Sequence, residues 1–333
     1  MPETGKTLRG SRTHSRLQYS LLLISLLTAL PISASAKPPQ DFLYTDSDSL
    51  GKIDILIKRA DIHGVQIVYS WKSLEKTKGV YDFAQIEHDL NYLTALNKKL
   101  FIQIQDRFFE VSSRNVPQYL MTDPIYKGGI VAQFDNPGEN KPVGYGWVAE
   151  QWNPAVQERY QALLKALAEK FDGRVFGVNL PETAIDPDIK HDKTGFSCDS
   201  YFAAEMANLG YARKVFKTSH VVQYINFWPC EWENDHKYMS RMFAFAAENQ
   251  IGLGGPDIVP NKKGHMKNAY PFFNSYKGQL NLVGMAVQEP TLTYTNPKTK
   301  KHFTRAEFSD YAENYLGVDI IFWSTISPWL KAR

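Results

Sequence analysis

Residues that could carry out acid–base chemistry and bind sugars follow the apolar, strand-like runs of this sequence. Carboxylates transfer protons or attack as nucleophiles, amides bind hydroxyl groups, and indole rings stack on the apolar face of a sugar. The residues of these types at such positions are Trp71, Gln105, Asn179, Glu182, Asn226, Trp228, Glu231, Gln288, Glu289 and Trp323. Serine, cysteine and histidine nucleophile systems are absent from these positions. The set therefore predicts a carbohydrate site.

The elements that must position these residues are eight short β-rich runs. The runs are Phe42–Tyr44, Val65–Tyr69, Leu100–Ile104, Val175–Val178, Val221–Ile225, Ile251–Leu253, Leu282–Val287 and Val318–Trp323. Apolar residues at spacings of three and four lie between runs, as from Val156 to Leu167, where Asn153-Pro154 predicts a helix start. Eight strand–helix alternations without a break in composition predict one α/β domain, a (β/α)8 barrel. The alternative, a doubly wound open sheet, lacks a G-x-G-x-x-G turn after its first strand.

In a (β/α)8 barrel, the residues after the strands meet at one face, where such barrels carry their active sites. Asp106 and Asp257 also follow runs, and we expect each of them to bind substrate or form an ion pair, Asp106 with Arg107. The long segment 107–153 is expected to be a loop over the barrel mouth. The histidines are scattered without the spacing of metal ligands, so neither a metal site nor a cofactor is expected.

The N-terminal segment has the pattern of a secretory signal peptide. A basic stretch precedes the apolar run Leu21–Leu30, Pro31 interrupts that run, and Ala34-Ser35-Ala36 provides small residues for cleavage. The sequence therefore predicts a Sec-type signal peptide over residues 1–36 and a mature chain of residues 37–333 in the periplasm or outside the cell. An uncleaved membrane anchor is the alternative.

The charge balance argues against an electrostatic partner. Residues 1–36 hold four of the 38 basic residues and one of the 35 acidic residues, so the mature chain carries no net charge. A neutral protein has no electrostatic reason to bind nucleic acid or an anionic membrane. We therefore expect a monomer whose partner is a carbohydrate substrate.

The two cysteines, Cys198 and Cys230, both remain after removal of residues 1–36. They follow neighbouring strands, the fourth and the fifth, and so lie at the same barrel face, where a bridge is geometrically accessible. Because an oxidising compartment permits disulfides, we predict that the two cysteines are joined. Two separately buried thiols are the alternative.

The strand numbers of two glutamates resemble those of the clan A retaining glycoside hydrolases, the 4/7 superfamily of (β/α)8 barrels. Glu182 follows the fourth run and Glu289 the seventh, and in that clan these positions carry the acid/base and the nucleophile. The segment from Trp71 through Glu75 and Gly79 to Tyr81-Asp82-Phe83 is similar to the clan's W-x-x-x-E-x-x-x-G-x-Y-D-F stretch. Together these features span roughly residues 41–325, nearly the whole mature chain.

The resemblance implies further roles around the two glutamates. Trp323 is similar to the tryptophan after the eighth strand that supports the sugar ring, and Gln288 and Asn226 are expected to bind hydroxyl groups. The clan places an asparagine directly before the acid/base, whereas here Asn179 lies three positions upstream of Glu182. The sequence leaves open whether Asn179 serves the site. Two functions follow, a retaining glycosidase acting on a poly- or oligosaccharide, or a non-catalytic carbohydrate-binding barrel.

Overall fold

The computed structural model describes residues 38–46, 50–108, 110, 112–134 and 145–331. Eight parallel strands, numbered here β1 to β8, close into a barrel in which each strand pairs with its neighbours in sequence. The strands are Gln40–Asp46, Ile62–Ser70, Lys99–Gln105, Gly177–Leu180, His220–Tyr224, Gly252–Gly255, Val283–Val287 and Ile320–Ser324. The predicted single (β/α)8 barrel and all eight strand-like runs are confirmed.

Large side chains fill the barrel interior. The rings of Phe101 on β3 and Phe322 on β8 lie 5.3 Å apart although these strands are not neighbours, so the contact crosses the inside of the barrel. Space for such rings comes from glycines. A Cβ atom on Gly254 of β6 would lie 1.8 Å from the carbonyl oxygen of Gly284 and 3.1 Å from the Tyr224 ring, so only glycine fits there.

Helices surround the barrel. They are α1 Asp54–Ile57, α2 Trp71–Leu74, α3 Ala84–Ala95, α4 Gln118–Thr122, α5 Pro154–Phe171, α6 Cys198–Val215, α7 Tyr238–Glu248, α8 Lys263–Lys267, α9 Tyr270–Ser275, α10 Glu289–Leu292, α11 Arg305–Tyr311 and α12 Pro328–Lys331. Two 3₁₀ turns, Leu50–Ile53 and Pro124–Tyr126, and a π-helical turn, Ala312–Leu316, complete the set. The predicted start of α5 is confirmed, because the Asn153 side chain accepts a hydrogen bond from the Ala155 amide.

The segment expected to be one long loop contains regular structure. Besides α4, it forms an antiparallel strand pair, Ile130–Phe134 with Tyr145–Ala149. The pattern of the first of these strands places Val131 and Gln133 on its buried face. The pair packs back on the barrel edge, where the amide of Phe108 donates to the carbonyl oxygen of Trp147. This alternation over only five residues was too short a signal to separate from a loop.

The predicted disulfide between Cys198 and Cys230 is present, with Cα atoms 6.2 Å apart. It joins the first residue of α6 to the segment after β5. Within the described ranges, none of the helices is long and apolar enough to cross a membrane. The predicted signal peptide lies outside the described residues.

Candidate active site

Two glutamates occupy equivalent positions at the carboxyl ends of the barrel strands. Glu182 lies two residues after the end of β4, and Glu289 lies two residues after the end of β7. Both glutamates act electrostatically on Tyr44 of β1, a residue that sequence reasoning missed. Burial and then Asp46 raise the pKa of the Tyr44 phenol, and the carboxylates of Glu289 and Glu182 raise it further. Both glutamates therefore lie within electrostatic range of one phenol.

Glu182 carries a carboxyl group that holds its proton near neutral pH. Burial is the main cause that raises the pKa of Glu182 to about 7, and the negative charge of Asp257 raises it further. The charge of Arg107 and a side-chain hydrogen bond from Asn226 act in the opposite direction. Burial and Asp257, rather than repulsion by Glu289, are thus the leading causes of the raised pKa of Glu182.

A buried arginine fixes the backbone that carries Glu182. Arg107, directly after β3, donates from Nη1 to the carbonyl oxygen of Glu182 at 2.8 Å. The same nitrogen donates to the Tyr201 hydroxyl at 2.8 Å, and that hydroxyl donates to the Thr183 carbonyl oxygen at 3.1 Å. The carbonyl groups of Glu182 and Thr183 are therefore both held, which limits the directions that the Glu182 side chain can take.

Two acidic side chains pair with Arg107. Its Nε donates to Asp106 at 2.7 Å, and its Nη2 contacts Glu205 of α6 at 3.3 Å. The predicted ion pair between Asp106 and Arg107 is confirmed. Gln151 donates to the other oxygen of Asp106 at 2.8 Å. All four side chains are buried, so the cluster depends on complete hydrogen bonding for its stability.

Glu289 is held less tightly than Glu182. It is exposed and is the first residue of the short helix α10. The Ser324 hydroxyl, on the inward face at the end of β8, donates a hydrogen bond to Glu289 Oε1. Gln288, partly exposed, precedes it at the same rim. Ser324 therefore orients one oxygen of Glu289, and sequence reasoning did not identify it.

Asp257 lies two residues after the end of β6 and is enclosed by protein. Its carboxylate accepts a hydrogen bond from the Thr291 hydroxyl of α10, and burial raises its pKa. The Tyr270 hydroxyl donates to the Asp257 carbonyl oxygen at 2.8 Å. Asp257 thus connects the segment after β6 to the helix that begins with Glu289.

Trp71 was expected to contact substrate, and the structure corrects this. Its side chain is fully buried against Tyr160, and its Nε1 donates to Glu75 at 2.8 Å. The buried Glu75 carboxylate also accepts the Gly79 amide at 2.8 Å and forms an ion pair with Arg159. The tryptophan, glutamate and glycine of this motif therefore form a hydrogen-bonded cluster after β2. A buried carboxylate such as Glu75 needs all of these donors.

Trp323, Trp228 and Glu231 are also buried, although Trp228 and Glu231 line one of the clefts beside the mouth. Trp323 is fully buried outside the barrel, where its Nε1 donates to Asp41 at 2.6 Å. Trp228 is 1% exposed and packs edge-on against Phe202, with ring centroids 4.9 Å apart. The Glu231 carboxylate accepts the amides of two residues at the start of α7, at 3.0 Å for one of them. The two enclosed indoles have no free face for a sugar.

The amides predicted to bind hydroxyl groups divide into two sets. Gln105, Asn226 and Gln288 are partly exposed at the mouth. Asn179 is fully buried inside the barrel, where its Nδ2 donates to the Leu180 carbonyl oxygen at 3.0 Å. Asn226, two residues after the end of β5, is the amide that hydrogen-bonds the Glu182 carboxyl group.

Two clefts flank the mouth. One, of about 670 Å³, lies at the ends of β1 to β3 and includes Asp46, Gln105 and Phe108. The other, of about 610 Å³, lies at the ends of β4 to β6 and includes Asn226, Trp232 and His265; we call it the β4–β6 cleft. Glu182 and Glu289 line neither cleft. Across the part of the chain that the structure describes, no group of histidine, cysteine or acidic side chains could hold a metal ion.

Several solved glycoside hydrolases share this architecture. A catalytic domain of β-amylase from Paenibacillus polymyxa matches with a TM-score of 0.52 and 8% identity over 86% of this chain and 93% of that chain. Endo-glycoceramidase II from Rhodococcus sp. matches with a TM-score of 0.53 and 11% identity over 88% and 74%. The chain has the fold of these glycoside hydrolases. A β-galactosidase from Marinomonas ef1, of which the match spans only 53%, gives a TM-score of 0.54 at 9% identity over 85% of this chain.

Sequence comparison adds no closer relative to these structural matches. No protein-family model and no curated protein matches the chain. The chain therefore shares with these enzymes the fold that the resemblance to clan A implied. At identities of 8–11% the similarity concerns the architecture alone. Sequence reasoning missed Tyr44 and Ser324, because neither carries a sequence signal beyond its place near the end of a strand-like run. The structure identifies Tyr44 by the effect of both glutamates on its pKa, and Ser324 by its hydrogen bond to Glu289.

Proposed function

We propose that this protein is an exported retaining glycoside hydrolase that cleaves a poly- or oligosaccharide, with Glu289 as nucleophile and Glu182 as acid/base. Residues 1–36 would direct export, and residues 37–333 would form the enzyme. The observation that carries the proposal is the pKa of about 7 at Glu182, on a carboxyl group at the β4 position that corresponds to that of Glu289 on β7. A general acid must hold its proton at working pH.

In the proposed reaction, a Glu289 oxygen attacks the anomeric carbon while Glu182 donates its proton to the departing oxygen. The glycosyl-enzyme ester is then cleaved by water, whose proton returns to Glu182. This sequence requires the two carboxyl groups about 5–5.5 Å apart. Ser324 orients one oxygen of Glu289, and Asn226 stabilises the ionised form of Glu182 after proton transfer.

The test is hydrolysis of a polysaccharide panel by the purified mature chain, with product anomers followed by proton NMR. Glu289→Gln should abolish turnover, and Glu182→Gln should lose most turnover on substrates with poor leaving groups. On an aryl glycoside whose leaving group departs without protonation, azide, which attacks the glycosyl-enzyme without base assistance, should partly rescue Glu182→Gln and not Glu289→Gln. Glu248→Gln, an exposed carboxylate at the end of α7, is the control and should retain activity. Product with inverted configuration would contradict the retaining mechanism.

The alternative is a non-catalytic carbohydrate-binding barrel, and the full burial of Asn179, whose Nδ2 donates to the Leu180 carbonyl oxygen, favours it. The same variants separate the two functions. If wild-type protein binds saccharides without hydrolysing any of the panel, and Glu289→Gln binds equally well, the binding function is correct.

A further inference from the structure

The β4–β6 cleft opens beside the proposed acid/base. Asn226 both hydrogen-bonds the Glu182 carboxyl group and lines this cleft. The acid/base residue donates its proton to the departing oxygen, so the leaving group bonded to that oxygen lies on the same side of the scissile bond as the acid/base. At about 610 Å³ the cleft falls in the range of small-ligand sites. The group that would occupy it is therefore the leaving group of the substrate.

One wall of the cleft offers an exposed aromatic platform. Trp232 is 52% exposed, the most exposed of the seven tryptophans. The Lys267 ammonium, which pairs with Glu233, lies over the Trp232 ring at 5.4 Å from its centroid. The rest of the indole is open to solvent. An open indole suits the apolar face of a sugar ring. The disulfide between Cys198 and Cys230 lines the same cleft and fixes the segment that leads to Trp232.

His265 supplies an unpaired hydrogen-bonding group within the cleft. Its side chain is more than nine-tenths buried, and its ring nitrogens have no hydrogen-bond partner among the described residues. Burial and the charge of Lys262 lower its pKa to about 4, so the imidazole is neutral at neutral pH. A neutral imidazole has one donor and one acceptor nitrogen, which matches a hydroxyl group.

The charged groups of the cleft favour a neutral ligand. The Lys262 ammonium donates to the Tyr294 hydroxyl at 2.9 Å, and the Glu231 carboxylate is used by backbone amides of α7. Asp186, also in the lining, would repel an anionic sugar. Amide, imidazole and indole groups remain for binding, and these recognise hydroxyl groups and apolar sugar faces.

We propose that the β4–β6 cleft binds a neutral saccharide ring on the leaving-group side of the scissile bond, with Trp232 as its stacking platform and His265 as its hydrogen-bonding partner. The leaving-group assignment rests on the proposed function, whereas saccharide binding in the cleft does not. The protein would accordingly bind oligosaccharides that extend beyond Glu182 more tightly than monosaccharides.

The test uses the mature Glu289→Gln chain and calorimetric titration with neutral oligosaccharides of two to six units from β-1,4-glucan, β-1,3-glucan, xylan and mannan, and with oligogalacturonate. Affinity for the best neutral series should exceed that for its monosaccharide roughly tenfold or more. Trp232→Ala and His265→Ala should each lower it roughly tenfold. Trp232→Phe and His265→Asn should largely restore it, and His88→Ala, an exposed histidine on α3, should have no effect. A crystal soaked with the best probe should show its reducing-end ring against Trp232.

Several results would overturn the assignment. Failure of every probe to bind, unchanged affinity in both alanine variants, tighter binding of oligogalacturonate, or a ring seated in the other cleft would each do so. If hydrolysis by wild-type protein persists in that case, the proposed glycosidase stands without this subsite. If binding depends on Trp232 and His265 but wild-type protein hydrolyses nothing, the saccharide site stands and the glycosidase falls.

Discussion

Replacing Glu182 by glutamine should stabilise the folded protein, and only above the pH at which glutamate ordinarily ionises. The pKa of Glu182 is about 7 in the folded chain against an ordinary 4.5. Ionising it therefore costs the folded state about 3 kcal/mol more than the unfolded chain, at roughly 1.4 kcal/mol for each pH unit. Because glutamine never ionises, Glu182→Gln escapes this cost.

The sign follows from proton linkage. Between pH 4.5 and 7 the folded protein holds the Glu182 proton and the unfolded chain does not, so wild-type stability falls as pH rises through this window. The free energies of unfolding of wild-type protein and Glu182→Gln should agree at pH 4. They should diverge from pH 4.5 upwards and differ by about 3 kcal/mol above pH 7.

Urea unfolding at half-unit pH steps from 4 to 8.5 measures this difference without any substrate. Glu248→Gln, with the same chemical change on an exposed side chain, should follow wild-type protein throughout. Stability curves of wild-type protein and Glu182→Gln that run parallel from pH 4 to 8.5 would refute the account of Glu182 as a buried acid, and with it the main support for its role as proton donor.

Three further outcomes are expected. Arg107→Met should raise the pKa of Glu182, because the Arg107 charge lowers it, and carbon-13 NMR of labelled glutamate would measure the change. The same variant should lower the free energy of unfolding in urea by about 3–5 kcal/mol, because Asp106 and Glu205 lose their buried cationic partner. Serine at both Cys198 and Cys230 should lower the free energy of unfolding by about 3–4 kcal/mol, because the bridge closes a loop over a separation of 32 residues. Mass spectrometry of the exported protein should find cleavage after Ala36, and an intact N-terminus would contradict export by a cleaved signal.

The barrel was predictable because its signals are local. Runs of β-branched and aromatic residues alternate with helical periods, and the Asn153-Pro154 pair marks the start of α5. The disulfide was predictable for a related reason, since adjacent strands bring the segments after them to one face. Each of these predictions depends on neighbouring positions in the chain or on neighbouring strands.

The direction of side chains was not predictable in the same way. Parallel strands buried on both faces are apolar throughout, so β8 shows no alternation from which to tell inside from outside. All of its five residues are buried, and only barrel closure decides that Ser324 faces Glu289 while Trp323 faces Asp41. Trp323, the expected sugar platform, therefore faces away from the site, and its neighbour Ser324 contacts Glu289 instead.

The contrast between the two glutamates gives the proposed function its strongest physical support. The segment of Glu182 is fixed from two sides, by Arg107 and Tyr201 on its carbonyl groups and by a Thr183 hydroxyl that donates to Phe227 at 2.8 Å. Glu289 is instead the exposed first residue of a four-residue helix. Chemistry with two carboxyl groups requires environments that separate their protonation, an enclosed group to hold the proton and an open one to attack. Equivalent positions on β4 and β7 give the two carboxyl groups different surroundings, and burial raises the pKa of Glu182.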